Sequence, residues 1–137
     1  FVDWFVMLSS KTITSAESGE TYFIDHNHAS ALNITLPAMK AGVRFKFIFV
    51  TDMTANGSVV FTSANSTDGD FLGTVLEQIT GGSNADSATV VCPADDDTLT
   101  INDDVDPGSW LEVVCNGSKW YWSGVLSVSA LGLAVFS

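Results

Sequence analysis

The strongest constraint on the fold is an alternating run of large residues at positions 44–50. Phe45, Phe47 and Phe49 fall on one side of an extended chain, because successive side chains of a β-strand point to opposite faces. Arg44 and Lys46 lie on the other side with Ile48 and Val50. That side is therefore predicted to be exposed to water at its charged end and buried at its aliphatic end. A sheet with three phenylalanines on one face needs a second layer to cover them.

Similar short runs recur along the chain, with polar turns between them about every 8–12 residues. The other predicted strands lie near residues 11–14, 21–25, 31–36, 58–62, 71–76, 88–92, 98–101, 110–115 and 119–123. Asn116 and Gly117 separate the last two, and this pair readily takes the positive φ angles of a tight β-turn. Helix signals are nearly absent, and only residues 37–42 are predicted to form one helical turn.

These patterns predict an all-β, single-domain fold with little or no helix. We expect an antiparallel β-sandwich, jelly-roll-like, or a barrel. The predicted organisation is an N-terminal apolar arm (1–10), a β-sandwich domain (11–125) and a C-terminal apolar strand or arm (126–137). A length of 137 residues is enough for one domain of ordinary size.

The charge balance excludes several classes of partner. The chain has 16 acidic and 5 basic residues, which gives a net charge of −11, yet 46% of its residues are hydrophobic. The apolar content predicts a folded core rather than a disordered acidic chain. A nucleic-acid partner is not expected, because binding phosphate needs clustered lysines and arginines. A membrane partner is not expected either, since no apolar run approaches the ~20 residues of a spanning helix.

Two groups of residues suggest metal binding, and neither is a strong signal. His26 and His28 would point to the same side of a strand, but no further ligand is identifiable, and ordinary turn chemistry explains the segment. Oxygen-rich loops favour Ca²⁺, and the acidic loops offer weak candidate ligands at Asp95, Asp97, Asp104 and Asp106. Their spacing is not that of a helix–loop–helix calcium hand, and solvated hairpin loops remain the alternative. We therefore predict no cofactor.

No catalytic motif rises above background, so we expect a protein that is not an enzyme. Cys92 and Cys115 are predicted to be two buried thiols rather than a disulfide. A cluster of aromatic residues, Trp120, Tyr121 and Trp122, suggests a sugar-binding surface. In a strand, however, the two tryptophans lie on one side and the tyrosine lies on the other. Packing of the tryptophans in the core is therefore favoured, while an exposed aromatic platform remains open.

The order of five motifs resembles that of small β-rich structural proteins of tailed-phage virions. The motifs are SGETYFID (18–25), NITLP (33–37), AGVRFKFI (41–48), GSWLEVV (108–114) and NGSKWYWSG (116–124). The resemblance is to capsid decoration (cement) proteins and related β domains of tail fibres, and it covers about residues 11–125. It implies a non-enzymatic homotrimer on the outer capsid surface of the virion, with the major capsid protein as its partner.

Apolar termini on an acidic domain are hard to leave in water, so we expect them to be buried against a neighbour. The predicted contact residues in the two arms are Phe1, Trp4, Phe5, Val6, Leu133 and Phe136. Arg44, Lys46 and Lys40 are predicted to meet an acidic patch on the partner, with ordinary surface charge as the alternative. The alternative function is a carbohydrate-binding or receptor-binding β domain of a tail fibre or a secreted protein.

Overall fold

Twelve strands and one short 3₁₀ turn (Ser15–Glu17) make up the regular structure of a computed structural model that describes residues 5–55, 57–64, 69–79, 86–92 and 96–137. The strands are β1 (Phe5–Met7), β2 (Lys11–Thr12), β3 (Thr21–Ile24), β4 (Leu32–Thr35), β5 (Arg44–Phe49), β6 (Val59–Thr62), β7 (Phe71–Ile79), β8 (Ser87–Cys92), β9 (Thr98–Ile101), β10 (Trp110–Cys115), β11 (Trp120–Val128) and β12 (Ala134–Phe136).

The strands form two sheets that pack face to face, which confirms the predicted all-β sandwich. One sheet has seven strands in the order β1-β3-β5-β10-β11-β7-β8, and the other has five in the order β12-β9-β6-β4-β2. Both sheets are open within the described ranges, so the barrel alternative does not apply.

Both sheets are mixed, so the antiparallel pairing expected from the sequence holds for five of the ten pairs between the described strands. The pairs β1–β3, β3–β5 and β7–β11 are parallel in the larger sheet, as are β2–β4 and β4–β6 in the smaller one. The reason is the path of the chain, which alternates between the two sheets from β1 to β7. Each return to a sheet starts from the same end of the sandwich, so successive strands within a sheet run in the same direction.

Aromatic side chains from both sheets fill the core. Phe47 of β5 contacts Phe61 of the opposite sheet edge to face, with ring centroids 4.7 Å apart. Trp122 lies 5.0 Å from Phe61 and 5.3 Å from Phe71, again edge to face. Each buried ring contributes about 2 kcal/mol through the apolar surface that it removes from water. The phenylalanines of the 44–50 run therefore face the core, as their alternation in the sequence predicts.

The hairpin β10–β11 also forms as predicted, with Cys115 opposite Trp120 and Asn116 and Gly117 in the loop. The single helical turn expected at 37–42 is absent. Instead, the N–H of Val43 donates to the carbonyl of Lys40, and Gly42 has a φ of +85°, a conformation that an L-residue rarely adopts. This tight turn leads directly into β5.

The C-terminal segment belongs to the sandwich. β11 continues without interruption through residues 125 and 126, so the domain boundary predicted there falls inside a strand. β12 pairs antiparallel with β9, with Ala134 opposite Ile101. At the other end of the sequence β1 pairs with β3, and Met7 is buried in the core.

Candidate partner-binding surface

A continuous line of apolar side chains crosses the outer face of the seven-stranded sheet, the face turned away from the core. Strand register places one residue from each of six neighbouring strands side by side. We call this line the apolar row: Val6, Phe23, Ile48, Trp110, Val125 and Leu76. Solvent-facing sheet surfaces normally carry polar residues at such positions. Val6 is exposed and the other five are half-buried.

The next line of residues on the same face carries its charges. Lys46 forms an ion pair with Glu112, with Nζ 3.4 Å from Oε1, and its ammonium also lies 5.2 Å from the centre of the Trp110 ring. Arg44 is exposed at the start of β5 and makes no ion pair among the described residues. A shallow groove of about 440 Å³ runs beside these side chains and is also lined by Tyr121.

The outer face of the five-stranded sheet has a different character. Register aligns four threonines, one from each of β2, β4, β6 and β9. We call this line the threonine row: Thr12, Thr35, Thr62 and Thr98. Its hydroxyl groups suit a surface that stays in water, because threonine fits a pleated sheet and remains polar. The two outer faces of one sandwich are therefore chemically unlike.

Charge is also divided along the strands. The basic end, where β5 begins, carries Lys40, Arg44 and Lys119, and the Lys119 ammonium donates to the carbonyl of Gly69. Lys11 and Lys46, the remaining two of the five basic residues, lie in the same half of the molecule, beside Glu17 and Glu112.

The acidic end, where β3, β5, β7 and β11 finish, gathers six aspartates. They are Asp25, Asp52, Asp86, Asp103, Asp104 and Asp106. Backbone hydrogen bonds connect the loops that hold them, such as those from Met53 to Val105 and from Asp104 to Met53. The lysines and arginines are therefore confined to one half of the sandwich, where acidic residues such as Glu17 and Glu20 accompany them, and the opposite end carries aspartates without a lysine or arginine.

The predicted contact residues of the two arms have separate outcomes. Val6 lies on the outer face within the apolar row, and the backbone of Phe5 pairs with that of Tyr22. Phe1 and Trp4 lie outside the described residues. Leu133 and Phe136 are half-buried and pack against the molecule's own core, so the C-terminal strand is not a free arm. The physical reason is that β12 completes the edge of the five-stranded sheet.

Glu77 anchors this C-terminal strand, and sequence reasoning missed it. Its carboxylate is fully buried and accepts hydrogen bonds from the backbone N–H groups of Gly132 at 2.7 Å and Ala134 at 3.0 Å. A third N–H, from Leu133, lies 3.3 Å away. Three backbone donors compensate for the removal of the carboxylate from water.

The candidate calcium ligands are not brought together. Asp97 and Asp104 lie at opposite ends of β9, where their N–H groups donate to Ser137 and Met53 respectively. Asp106 accepts a hydrogen bond from the Ser127 hydroxyl at 2.7 Å. Asp95 falls outside the described residues. In the described part of the chain no three His, Cys, Asp or Glu side chains are placed to hold a metal ion.

His26 and His28 lie close together, with ring centroids 5.7 Å apart, beside a pocket of about 250 Å³. His26 is buried and its Nε2 has no hydrogen-bond partner among the described residues, whereas His28 is exposed. Burial lowers the pKa of His26, and the neighbouring His28 lowers it further. Two imidazoles without a third ligand make an incomplete metal site.

The aromatic cluster of the last hairpin divides as its alternation predicts. Trp120 and Trp122 are buried in the core, so neither offers a platform to a sugar ring. Tyr121 points outward and is 40% exposed, and its hydroxyl accepts a hydrogen bond from the side-chain amide of Asn116 at 3.2 Å. The outer face thus keeps one exposed ring beside the groove.

Both cysteines are buried thiols rather than a disulfide, as predicted. Cys92 lies on β8 and Cys115 on β10, which are three strand spacings apart in the sheet order, or about 14 Å. A disulfide needs Cα atoms within about 7 Å. Burial, with a smaller effect of the Asp96 charge, raises the pKa of Cys92 to about 12, which leaves it a poor nucleophile.

Comparison with known proteins finds no match among family models, curated proteins or solved structures. Within the described ranges, no helix has the length and apolar character needed to cross a membrane. The chemistry of the molecule's own surfaces is therefore the basis for a functional proposal.

Proposed function

We propose that the protein is a capsid decoration protein, a non-enzymatic virion component that binds the outer capsid surface and stabilises the shell. Its partner in this proposal is the major capsid protein, and it acts as a homotrimer. The observation that carries the proposal is the division of charge along the strands. All five lysines and arginines lie in one half of the sandwich, where Lys40 and Arg44 form no ion pair among the described residues, and six aspartates gather at the opposite end without a lysine or arginine.

In this proposal the basic end faces the shell. Lys40 and Arg44 are exposed there and are available to an acidic patch on the capsid protein. β1 also begins at this end, since the backbone of Phe5 pairs with that of Tyr22 near the start of β3. The sequence before β1 contains Phe1 and Trp4, and in this proposal residues 1–4 add buried apolar area to the contact.

The acidic end then faces outward. Neighbouring copies on a shell are held at high local density, and surfaces of the same sign repel one another. A cluster of aspartates without a basic residue beside it resists non-specific association between virions. This orientation assigns a role to each end and requires no catalytic group.

The test uses shells of the protein's own virus that lack this protein. The variant Lys40→Gln/Arg44→Gln removes two positive charges from the basic end, and Thr54→Glu/Ser129→Glu adds two negative charges at the acidic end. Both change the net charge by the same amount. We expect the first to weaken binding to shells at least about tenfold and the second to have little effect, as measured by co-sedimentation. Wild-type binding should weaken as salt is added.

Saturated shells should carry the protein in a fixed ratio to the major capsid protein. A chain that fails to bind, or binds without a fixed ratio, would contradict the proposal. Equal loss of binding in the two charge variants would contradict the assigned orientation. Deletion of residues 1–4 separately tests whether that segment contributes to attachment.

The groove beside Tyr121 favours a second candidate function, a carbohydrate-binding or receptor-binding β domain. Arg44, Lys46 and Glu112 supply hydrogen-bonding groups along one wall, and the tyrosine ring supplies an apolar surface. This candidate predicts binding to a glycan array that Tyr121→Ala abolishes. Absence of binding across a broad array would eliminate it.

A further inference from the structure

We infer that the outer face of the seven-stranded sheet is the contact surface between copies of this chain. This inference rests on the homo-oligomer within the proposed function and adds the surface through which the oligomer forms. It is independent of whether the oligomer then binds a shell. The occupant of the face is therefore a second copy, related to the first by a symmetry axis.

The first argument is the contrast between the two outer faces of the sandwich. The apolar row extends over six neighbouring strands and includes Trp110 and Phe23, whereas the equivalent face of the smaller sheet carries the threonine row. Val114 and Tyr121 add exposed apolar surface to the same face. The next row of the smaller sheet adds Val60 and Val135 but no aromatic residue, so the larger sheet carries the greater apolar surface.

The second argument is charge, which selects the occupant. The chain carries a net charge of −11, so most of its surface repels a second copy. On the outer face, Arg44 and Lys46 are accompanied by Glu112, and Glu20 lies at the groove, so these charges sum to zero. A neighbouring copy can therefore cover this face without burying net charge. Groups of both signs in one patch can also pair with oppositely charged groups of that neighbour.

The third argument is area. Seven strands span six spacings, or about 29 Å, and strands of six residues are about 20 Å long. The face therefore offers close to 600 Å² per copy, or about 1,200 Å² for a pair, which is the lower limit of stable protein interfaces. Aromatic residues such as Trp110 and Tyr121 are the types that contribute most to binding energy at such contacts.

The test measures the mass of the isolated protein in solution by sedimentation velocity from about 1 to 100 µM. Val114→Lys places a charge on β10, the central strand of the face, where the native valine is 45% exposed. Val135→Lys is the matched control, because Val135 is 44% exposed on the outer face of the other sheet. Tyr121→Lys repeats the change on β11 in case the first variant does not fold, with circular dichroism reporting folding.

We expect the wild type and Val135→Lys to associate, and Val114→Lys or Tyr121→Lys to associate at least about tenfold more weakly. A wild-type protein that remains monomeric across the range would overturn the inference, as would equal association of the face variants and the control. Shell binding is scored in a separate assay. A monomer that still binds shells would overturn only the proposed contact between copies. An oligomer that does not bind shells would overturn only the proposed decoration function.

Discussion

The carboxylate of Glu77 accepts a hydrogen bond from the backbone N–H of Ala134 at 3.0 Å, and this contact joins the two sheets near one edge of the sandwich. Glu77 belongs to β7 of the larger sheet, and Ala134 begins β12 of the smaller one. A buried carboxylate thus positions the last strand, which the sequence alone leaves as a possible free arm.

Replacing Glu77 with leucine is expected to destabilise the protein by about 3–5 kcal/mol, because several buried N–H groups lose their acceptor. Glu77→Gln retains an acceptor and should cost less, about 1–3 kcal/mol. Urea unfolding measures both values, and Gln78→Ala, an exposed neighbour on the same strand, serves as the control. Faster proteolysis near residues 129–137 in Glu77→Leu would locate the damage. Equal stability of the leucine variant and wild type would contradict this role.

Glu77 also shows what the sequence can and cannot predict. Alternation is a local property, so the inward positions of the strands, such as Phe45 and Phe47, follow from the sequence. Glu77 has the same parity as Phe71 and Val75, and that parity was the available signal for its burial. The charge of Glu77, however, predicts an exposed side chain. The three N–H groups that make its burial possible belong to a segment more than fifty residues away, so the sequence near Glu77 gives no sign of them.

The candidate surface illustrates the same limit. The side of β5 that carries Lys46 and Ile48 is predictable from alternation. The alignment of Ile48 with Phe23 and Trp110 is not, because it depends on which strands are neighbours and on their register. Parallel pairing between strands about twenty residues apart leaves no short-range turn signal, unlike the β10–β11 hairpin.

The lowered pKa of His26 predicts that the protein loses stability in mild acid. Because burial lowers its pKa in the folded state, the unfolded chain binds the proton more readily. The contribution to stability is therefore fully present above the unfolded pKa of about 6.5 and falls as the pH drops below it. The slope is at most about 1.4 kcal/mol per pH unit, the limit for one proton.

Urea midpoints at pH 8, 7, 6 and 5 measure this effect in the wild type, His26→Leu and His28→Gln. We expect the leucine variant to show a smaller dependence on pH than the wild type between pH 7 and 5. The exposed His28 provides the control, and its variant should keep most of the wild-type dependence. A leucine variant with an unchanged pH dependence would show that His26 does not titrate differently in the folded state.

The lowered pKa of Glu17 predicts a second loss of folding stability, at lower pH. Burial opposes its ionisation, but the Lys11 ammonium at 2.7 Å and hydrogen bonds from Thr14 and Tyr22 hold its pKa at about 2. Since the pKa in the folded state lies below the ordinary glutamate value of 4.5, the stabilisation is present above pH 4.5 and is lost as the pH falls toward 2. Lys11→Met should raise the pKa of Glu17, as followed by NMR titration of its carboxyl carbon. Lys46→Met, which removes the partner of Glu112 instead, should leave it unchanged.

The two thiols are expected to be unreactive in the folded protein. Cys92 and Cys115 are both buried, and a pKa of about 12 leaves Cys92 almost entirely protonated at neutral pH. Treatment with a thiol reagent at pH 8 should modify neither residue in the native state and both in guanidinium. The exposed Ser118→Cys variant should react at once in the same buffer, which checks the reagent. Rapid native modification of wild type would contradict the assigned burial, and an intact mass lower by two hydrogens would reveal a disulfide that the strand order forbids.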